Sequence, residues 1–221
     1  RFDLGFSEKD SKKLKEVKII PFRVLDGEDI SCLNLYQPQK PRILGVTVDQ
    51  TERGGFSFQE AGRILDKPWD LLQEDLGPGI IPAFGDANSV LWILHLGLGD
   101  HFELQNEKGE TVKLRLVGLL ENSIFQSELL ISEANFLRHF PSQTGYRFFL
   151  IESPFGEGKE IAELLERNLD RHGLDVTSTS EVLADYLAVE NTYLSTFQTL
   201  GALGLLLGTL GLGVVLVRNT L

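Results

Sequence analysis

The chain has 221 residues, 42% hydrophobic and 24% charged, with a formal net charge of −11. That length and balance allow a real core and exclude wholesale disorder. The charge is uneven: residues 1–23 hold seven basic and four acidic groups, and the remainder holds 14 basic and 28 acidic. A body of that sign is wrong for phosphate backbones, so nucleic acid is excluded as a partner. The chain has no methionine and begins Arg1-Phe2-Asp3, which reads as neither a start nor a signal peptide, so a piece of a longer protein is expected.

In chain order, Ser7-Glu8-Lys9-Asp10 opens a short helix, with Ser7 and Asp10 as its capping pair. Val17 to Leu25 reads as a strand, with Pro21 suggesting an edge or bulge. Ile30–Leu35 and Ile43–Val48 read as two more strands around the loop Gln37–Pro41. Glu52 to Gly55 is turn-like, and Ser57 to Asp75 is expected to be partly helical with a break at Pro68. Gly79 to Phe84 is a strand leading to Asp86, an N-cap for Ala87 to Leu94.

A β region follows. His101–Gln105 and Thr111–Leu120 alternate apolar and polar residues around the turn Asn106–Gly109, the pattern of a half-buried hairpin. Ser132 to Phe140 is a short helix stopped by Pro141, and Tyr146 to Glu152 is a strand. Glu157 to His172 is amphipathic, with Ile161, Leu164, Leu165 and Leu169 on one face and Gly173 as C-cap. Leu174 to Thr177 is expected to be a strand that completes a βαβ unit.

Ser178 and Glu181 form a second capping pair, and no helix breaker follows. Thr199 to Val217 is 19 residues without a charge, and extending back to Asn191 gives 27. About 20 apolar residues span a bilayer core of roughly 30 Å. Arg218 closes the run, which puts the preceding domain outside the cytoplasm by the positive-inside rule. Gly201, Gly204, Gly208 and Gly211 step by three, four and three, so they lie on one helix face. Glycine costs about 1 kcal/mol in a soluble helix relative to alanine. In a membrane, small residues allow helix backbones to approach closely, so these four glycines are candidate helix-packing residues.

No catalytic, cofactor-binding or metal site is expected. His95, His101, His139 and His172 have no metal-ligand spacing, and no nucleophile motif appears. Gly97-Leu98-Gly99-Asp100 precedes a strand and is a turn, not a phosphate loop. The acidic group Asp26, Glu28 and Asp29 matches no EF-hand pattern and reads as a solvated loop. The single Cys32 reads as a small hydrophobe.

Four stretches carry a resemblance. They are Asp26–Leu35 followed by Pro41–Val46; Leu98–Leu104 with Val112–Leu119, containing Gly99-Asp100 and Val117-Gly118; Phe140-Pro141 with Gly145–Leu150; and Glu190–Tyr193 through Arg218-Asn219. Together the chain resembles the permease subunits of MacB-like and FtsX-like ABC transporters. The resemblance implies an α+β fold. Residues 1–179 would be an extracytoplasmic core domain: a porter-like α/β part with a β-rich insert near 97–131. Residues 180–221 would be a stalk and transmembrane helix, the second of four, with Arg1 just after the first. It further implies an ABC ATPase partner, separate or fused, that carries out ATP hydrolysis, and a second permease copy. A periplasmic partner protein is also implied, and lipid would surround residues 199–217 in the inner membrane. The function implied is coupling of ATPase cycling to export, extraction or mechanotransmission. A membrane-anchored sensor or ligand-binding module is the alternative. It would need a cytoplasmic signalling domain beyond Leu221 where the transporter needs further spans.

Overall fold

The computed structural model describes residues 6–27, 40–62, 66–126 and 128–220. The chain divides into two compact units, Arg1–Val176 and Thr177–Leu221. The first is a mixed α+β unit. Its elements in order are α1 (Glu8–Lys13), β1 (Lys18–Leu25), β2 (Arg42–Val46), α2 (Val48–Arg53), β3 (Phe58–Ala61), β4 (Ile80–Asp86), β5 (His101–Gln105), β6 (Thr111–Leu120), β7 (Glu128–Ser132), α3 (Glu133–His139), β8 (Phe148–Glu152) and α4 (Gly158–Leu169). The second unit consists of α5 (Thr179–Thr220).

The strands form one eight-stranded mixed sheet in the order β3-β6-β4-β7-β2-β1-β8, with β5 also paired to β6. β2 with β7 and β4 with β6 are parallel; the other pairs are antiparallel. Strand alternation sends consecutive residues to opposite faces. Thus Ile43, Leu129 and Ile131 enter one buried cluster, and Leu44 and Leu130 enter the other. The central strands are buried on both faces, so they read as near-continuous apolar runs rather than alternating ones.

The second cluster is aromatic. Phe84 meets Phe58 at 5.1 Å and Trp69 at 5.5 Å, while Phe22 meets Phe148 at 5.5 Å and Phe125 at 5.7 Å. This packing explains two departures from the sequence reading. Residues 58–61, expected within a helical stretch, form β3, because Phe58 must lie in the sheet to reach Phe84 and Trp69. Pro68 does not break a helix but starts one, at the first turn of the 3-10 helix Pro68–Gln73, where its missing N–H costs nothing. That helix buries Trp69, Leu71 and Leu72.

Other expected elements hold with adjusted ends. Ser7 and Asp10 form the expected capping box, and Ser132 caps α3 through the Asn135 N–H. The expected turn near Glu52 is the end of α2, closed by Gly54 at φ +66°. Leu174–Thr177 is not a strand: it pairs with none, and the Val176 N–H instead donates to the Glu166 carboxylate on α4, so no βαβ unit is completed. Ser178 receives the Glu181 and Val182 N–H groups on its carbonyl, and its hydroxyl meets that of Ser180. Pro21 lies inside the sheet yet at a local edge. The ladder to β2 ends at Phe22↔Val46, and the Pro21 carbonyl accepts from Thr47 Oγ1 just past it. The missing N–H therefore breaks no ladder bond. The expected strand Ile30–Leu35, with Cys32, lies outside the described residues.

Gly118 is required by the aromatic core. It is the cross-strand partner of Phe84, at a register shift in the β4·β6 ladder. A Cβ at Gly118 would lie 2.8 Å from Phe84 Cε1 and 3.0 Å from Phe58 Cε1. Gly118→Ala is therefore expected to lower stability by about 1–3 kcal/mol through overpacking. Urea denaturation measures it, and an unchanged midpoint would contradict the packing described.

Candidate functional site

Within α5, Thr192–Asn219 is 28 residues long and apolar enough to cross a membrane, and none of it is buried. At about 1.5 Å per residue the stretch is about 42 Å long, more than a bilayer core requires. Leucine and valine surround the helix on every side: Leu205, Leu206, Leu207, Leu210, Leu212, Val214 and Val215 are all more than half exposed. A soluble amphipathic helix would instead carry one polar face. The threonine hydroxyls in this stretch are satisfied internally. Thr192, Thr196 and Thr199 donate to the carbonyls of Ala188, Thr192 and Ser195, four residues back, and Thr209 donates to Leu206. Such back-bonding hides a hydroxyl from an apolar solvent.

The four glycines expected to act together, Gly201, Gly204, Gly208 and Gly211, lie along one face of α5. Phe197 and Tyr193 extend the same stripe toward the N-terminus at four-residue steps, and both are exposed. A Cβ at any of the four glycines would meet nothing within 4 Å. Their spacing is therefore not explained by packing among the described residues.

The first unit holds its polar groups mostly in structural pairs. The Gly97–Asp100 turn is closed by the Gly97 N–H on Asp100 Oδ2, and it is tied to β6 by Gly99 N–H to the Leu116 carbonyl at 2.7 Å. Gly99 adopts φ +90°, which a side chain would strain. Asp86, fully buried, accepts from Asn88 N–H and from both the N–H and hydroxyl of Ser123. Asp26 is paired with Arg147 at 2.7 Å; Glu28 and Asp29 lie outside the described residues. Among the described residues, no group of three or more His, Cys, Asp or Glu is arranged to hold a metal ion. His139 is held below its usual pKa by burial and by Arg138.

One ionisable group escapes a sequence reading. Glu128 faces Arg42 across the first rung of the parallel β2·β7 ladder, and its Oε1 accepts from Arg42 Nη1 at 2.8 Å. Its Oε2 is buried with no hydrogen-bond partner among the described residues. Burial outweighs the attraction of Arg42 and raises the carboxyl to about 7. Nothing in Ser-Glu-Leu-Leu signals this, because burial depends on which strands flank β7.

No family model matches the chain, and no curated protein does. Solved structures do. The extracellular domain of the noncanonic ABC-type transporter YknZ from Gram-positive bacteria is 15% identical, with 80% of this chain and 91% of that chain covered and a TM-score of 0.39. The periplasmic region of MacB from Actinobacillus actinomycetemcomitans is 13% identical, with 81% and 80% covered and a TM-score of 0.40.

A carboxyl whose folded pKa is raised stabilises the fold below its unfolded pKa and loses that contribution as pH rises through the folded value. For Glu128 the window runs from 4.5 to about 7. Relative to Glu128→Gln, the parent protein is expected to lose about 3 kcal/mol across it. Urea midpoints at both ends of the window measure the difference, and parallel pH profiles for the two proteins would contradict it.

Proposed function

We propose that the chain is the extracytoplasmic domain and adjoining membrane helix of an ABC transporter permease, coupling the ATPase cycle of a partner subunit to work outside the membrane. The observation that carries this reading is α5. An α+β unit is followed, after two residues, by a helix whose 28-residue stretch Thr192–Asn219 exposes apolar side chains on all sides. The sequence motifs shared with MacB-like permeases agree with it, and two of them have a physical reason here. Gly99-Asp100 closes the turn before β5, and Gly118 makes room for Phe84. Residues 1–179 are the working domain in this reading, with the β5–β7 region as its β-rich part. Residues 180–221 are the stalk and span. The chain supplies no catalytic residues, and ATP hydrolysis belongs to the partner.

A continuous helix suits the coupling role, because it transmits displacement with less slack than a flexible linker. In this reading Gly201, Gly204, Gly208 and Gly211 pack against another helix of the membrane bundle, in the same subunit or in the second copy. Lipid surrounds residues 199–217 elsewhere, in the inner membrane, and the first unit lies on the periplasmic or extracellular side.

Purification of the full-length parent from its own membranes, with mass spectrometry of its companions, tests the assignment. An ATP-binding subunit in stoichiometric amount, or an ATPase domain in the parent itself, is expected. A monodisperse preparation with neither would overturn it. In the purified complex, the double substitution Gly204→Leu/Gly208→Leu is expected to destabilise the assembly or to uncouple ATPase activity from transport. Normal assembly with ATPase activity still coupled to transport would remove the glycine face from the account.

A further inference from the structure

The first rung of the parallel β2·β7 ladder overhangs the rest of the sheet. It joins Arg42, the first residue of β2, to Glu128, the first residue of β7. On one side, the ladder from β1 reaches β2 no further than Leu25↔Ile43. On the other, the ladder from β4 reaches β7 no further than Gly85↔Leu129. The rung can therefore part without breaking a bond in either neighbouring ladder. Besides its own backbone pairing, it is held by the bond from Arg42 Nη1 to Glu128 Oε1 at 2.8 Å and by the Glu128 N–H on the Phe125 carbonyl at 3.3 Å. Strand alternation turns Glu128 to the same side as Leu130, whose side chain lies in the aromatic cluster. Arg42 stands at the border of that cluster, with its guanidinium over the Phe148 ring at 5.8 Å.

The carboxylate at this rung is half satisfied. Oε1 has Arg42, whereas Oε2 is buried with no hydrogen-bond partner among the described residues. The Arg42 side chain is 38% exposed and that of Glu128 9%, so the guanidinium reaches solvent and the carboxylate does not. Arg42 is the charged group that acts on Glu128. In register, the acidic groups beside the rung are Asp86 at the end of β4 and Asp26 just past β1. Both are engaged elsewhere, Asp86 by Asn88 and Ser123, and Asp26 by Arg147. On β8, Glu152 is bound by Arg53, and in the described turn before β7 the ionisable residue is Glu121, which is exposed. A neutral carboxyl tolerates such burial. A carboxylate with one unpaired oxygen does not, because an ionised group needs its lone pairs satisfied in an apolar setting. Parting the rung gives Oε2 to water and disturbs only the starts of two strands, and strand ends open at little cost.

We infer that the Arg42–Glu128 rung is a pH-sensitive clasp, closed while Glu128 holds its proton and loosened at the starts of β2 and β7 when the proton leaves. Loosening reaches the aromatic cluster through Phe125, which accepts the Glu128 N–H, and through Phe148 beneath Arg42. The clasp belongs to the first unit alone and stands apart from the membrane reading of α5. Hydrogen exchange read by mass spectrometry tests it, on the full chain in detergent micelles between pH 4.5 and 8, corrected for the intrinsic pH dependence of exchange. Burial moves Glu128 from 4.5 to about 7, so opening of Arg42–Val46 and Glu128–Ser132 is expected to rise up to about 300-fold across that window and to level off above it. Glu128→Gln is expected to flatten the profile. Arg42→Gln removes the attraction that favours ionisation and is expected to move the levelling point to higher pH. A local opening exposes little surface, so low urea is expected to leave these rates unchanged. A rise that grows with urea as steeply as global unfolding would show that no local clasp exists. A profile unaltered by Glu128→Gln, or no rise in the parent, would overturn it equally. Where Glu128→Gln does not fold, the parent's own pH and urea dependence decides.

Discussion

Everything in this molecule turns on the apolar surface of α5. From Thr192 to Asn219 the helix buries none of its side chains. Each buried methylene is worth about 0.8 kcal/mol when removed from water, so the twelve exposed leucines and valines of this stretch are costly in an aqueous solvent. The helix is long and apolar enough to cross a membrane. Its backbone is already satisfied internally, and its threonine hydroxyls are folded back on the preceding turn. Those are the conditions a lipid-facing segment must meet. An independent constraint comes from the glycines, which cost helix stability and at which an added Cβ would meet nothing within 4 Å among the described residues.

The first unit obeys the opposite rule. Its sheet buries both faces at the centre, and the aromatic cluster around Phe22, Phe84, Phe125 and Trp69 fixes strand positions that local preference does not. Asp86 then ties the end of β4 to the turn after β6 through Ser123. Among the described residues the sheet ends at β8 on one side and at β3 on the other.

How far the sequence reveals this depends on the range of the interactions. The α1 capping box, the β5–β6 hairpin, α3 with its Ser132 cap and the apolar face of α4 are all set by neighbours within a few residues, and each is legible. So is α5, because hydropathy needs no partner. β3 is not, since Phe58 adopts a strand only to meet residues distant in sequence. Leu174–Thr177 fails for the complementary reason: its Leu-Asp-Val-Thr alternation suggests a strand, but it pairs with none among the described residues and Glu166 accepts the Val176 N–H instead. The same limit applies to function. The glycine spacing is visible in the string of letters, whereas the buried Glu128–Arg42 pair arises from sheet order, which no local pattern encodes.

The most direct test of the account is the side on which each part of α5 meets water. Single cysteines are introduced along residues 181–219 of the Cys32→Ala parent. Each is then exposed, in intact cells, to a maleimide that cannot cross membranes. The account predicts labelling from outside at positions before Thr192, none between Thr199 and Val217, and labelling beyond Arg218 only after the membrane is opened. Labelling that recurs along the whole helix without opening the membrane would contradict it.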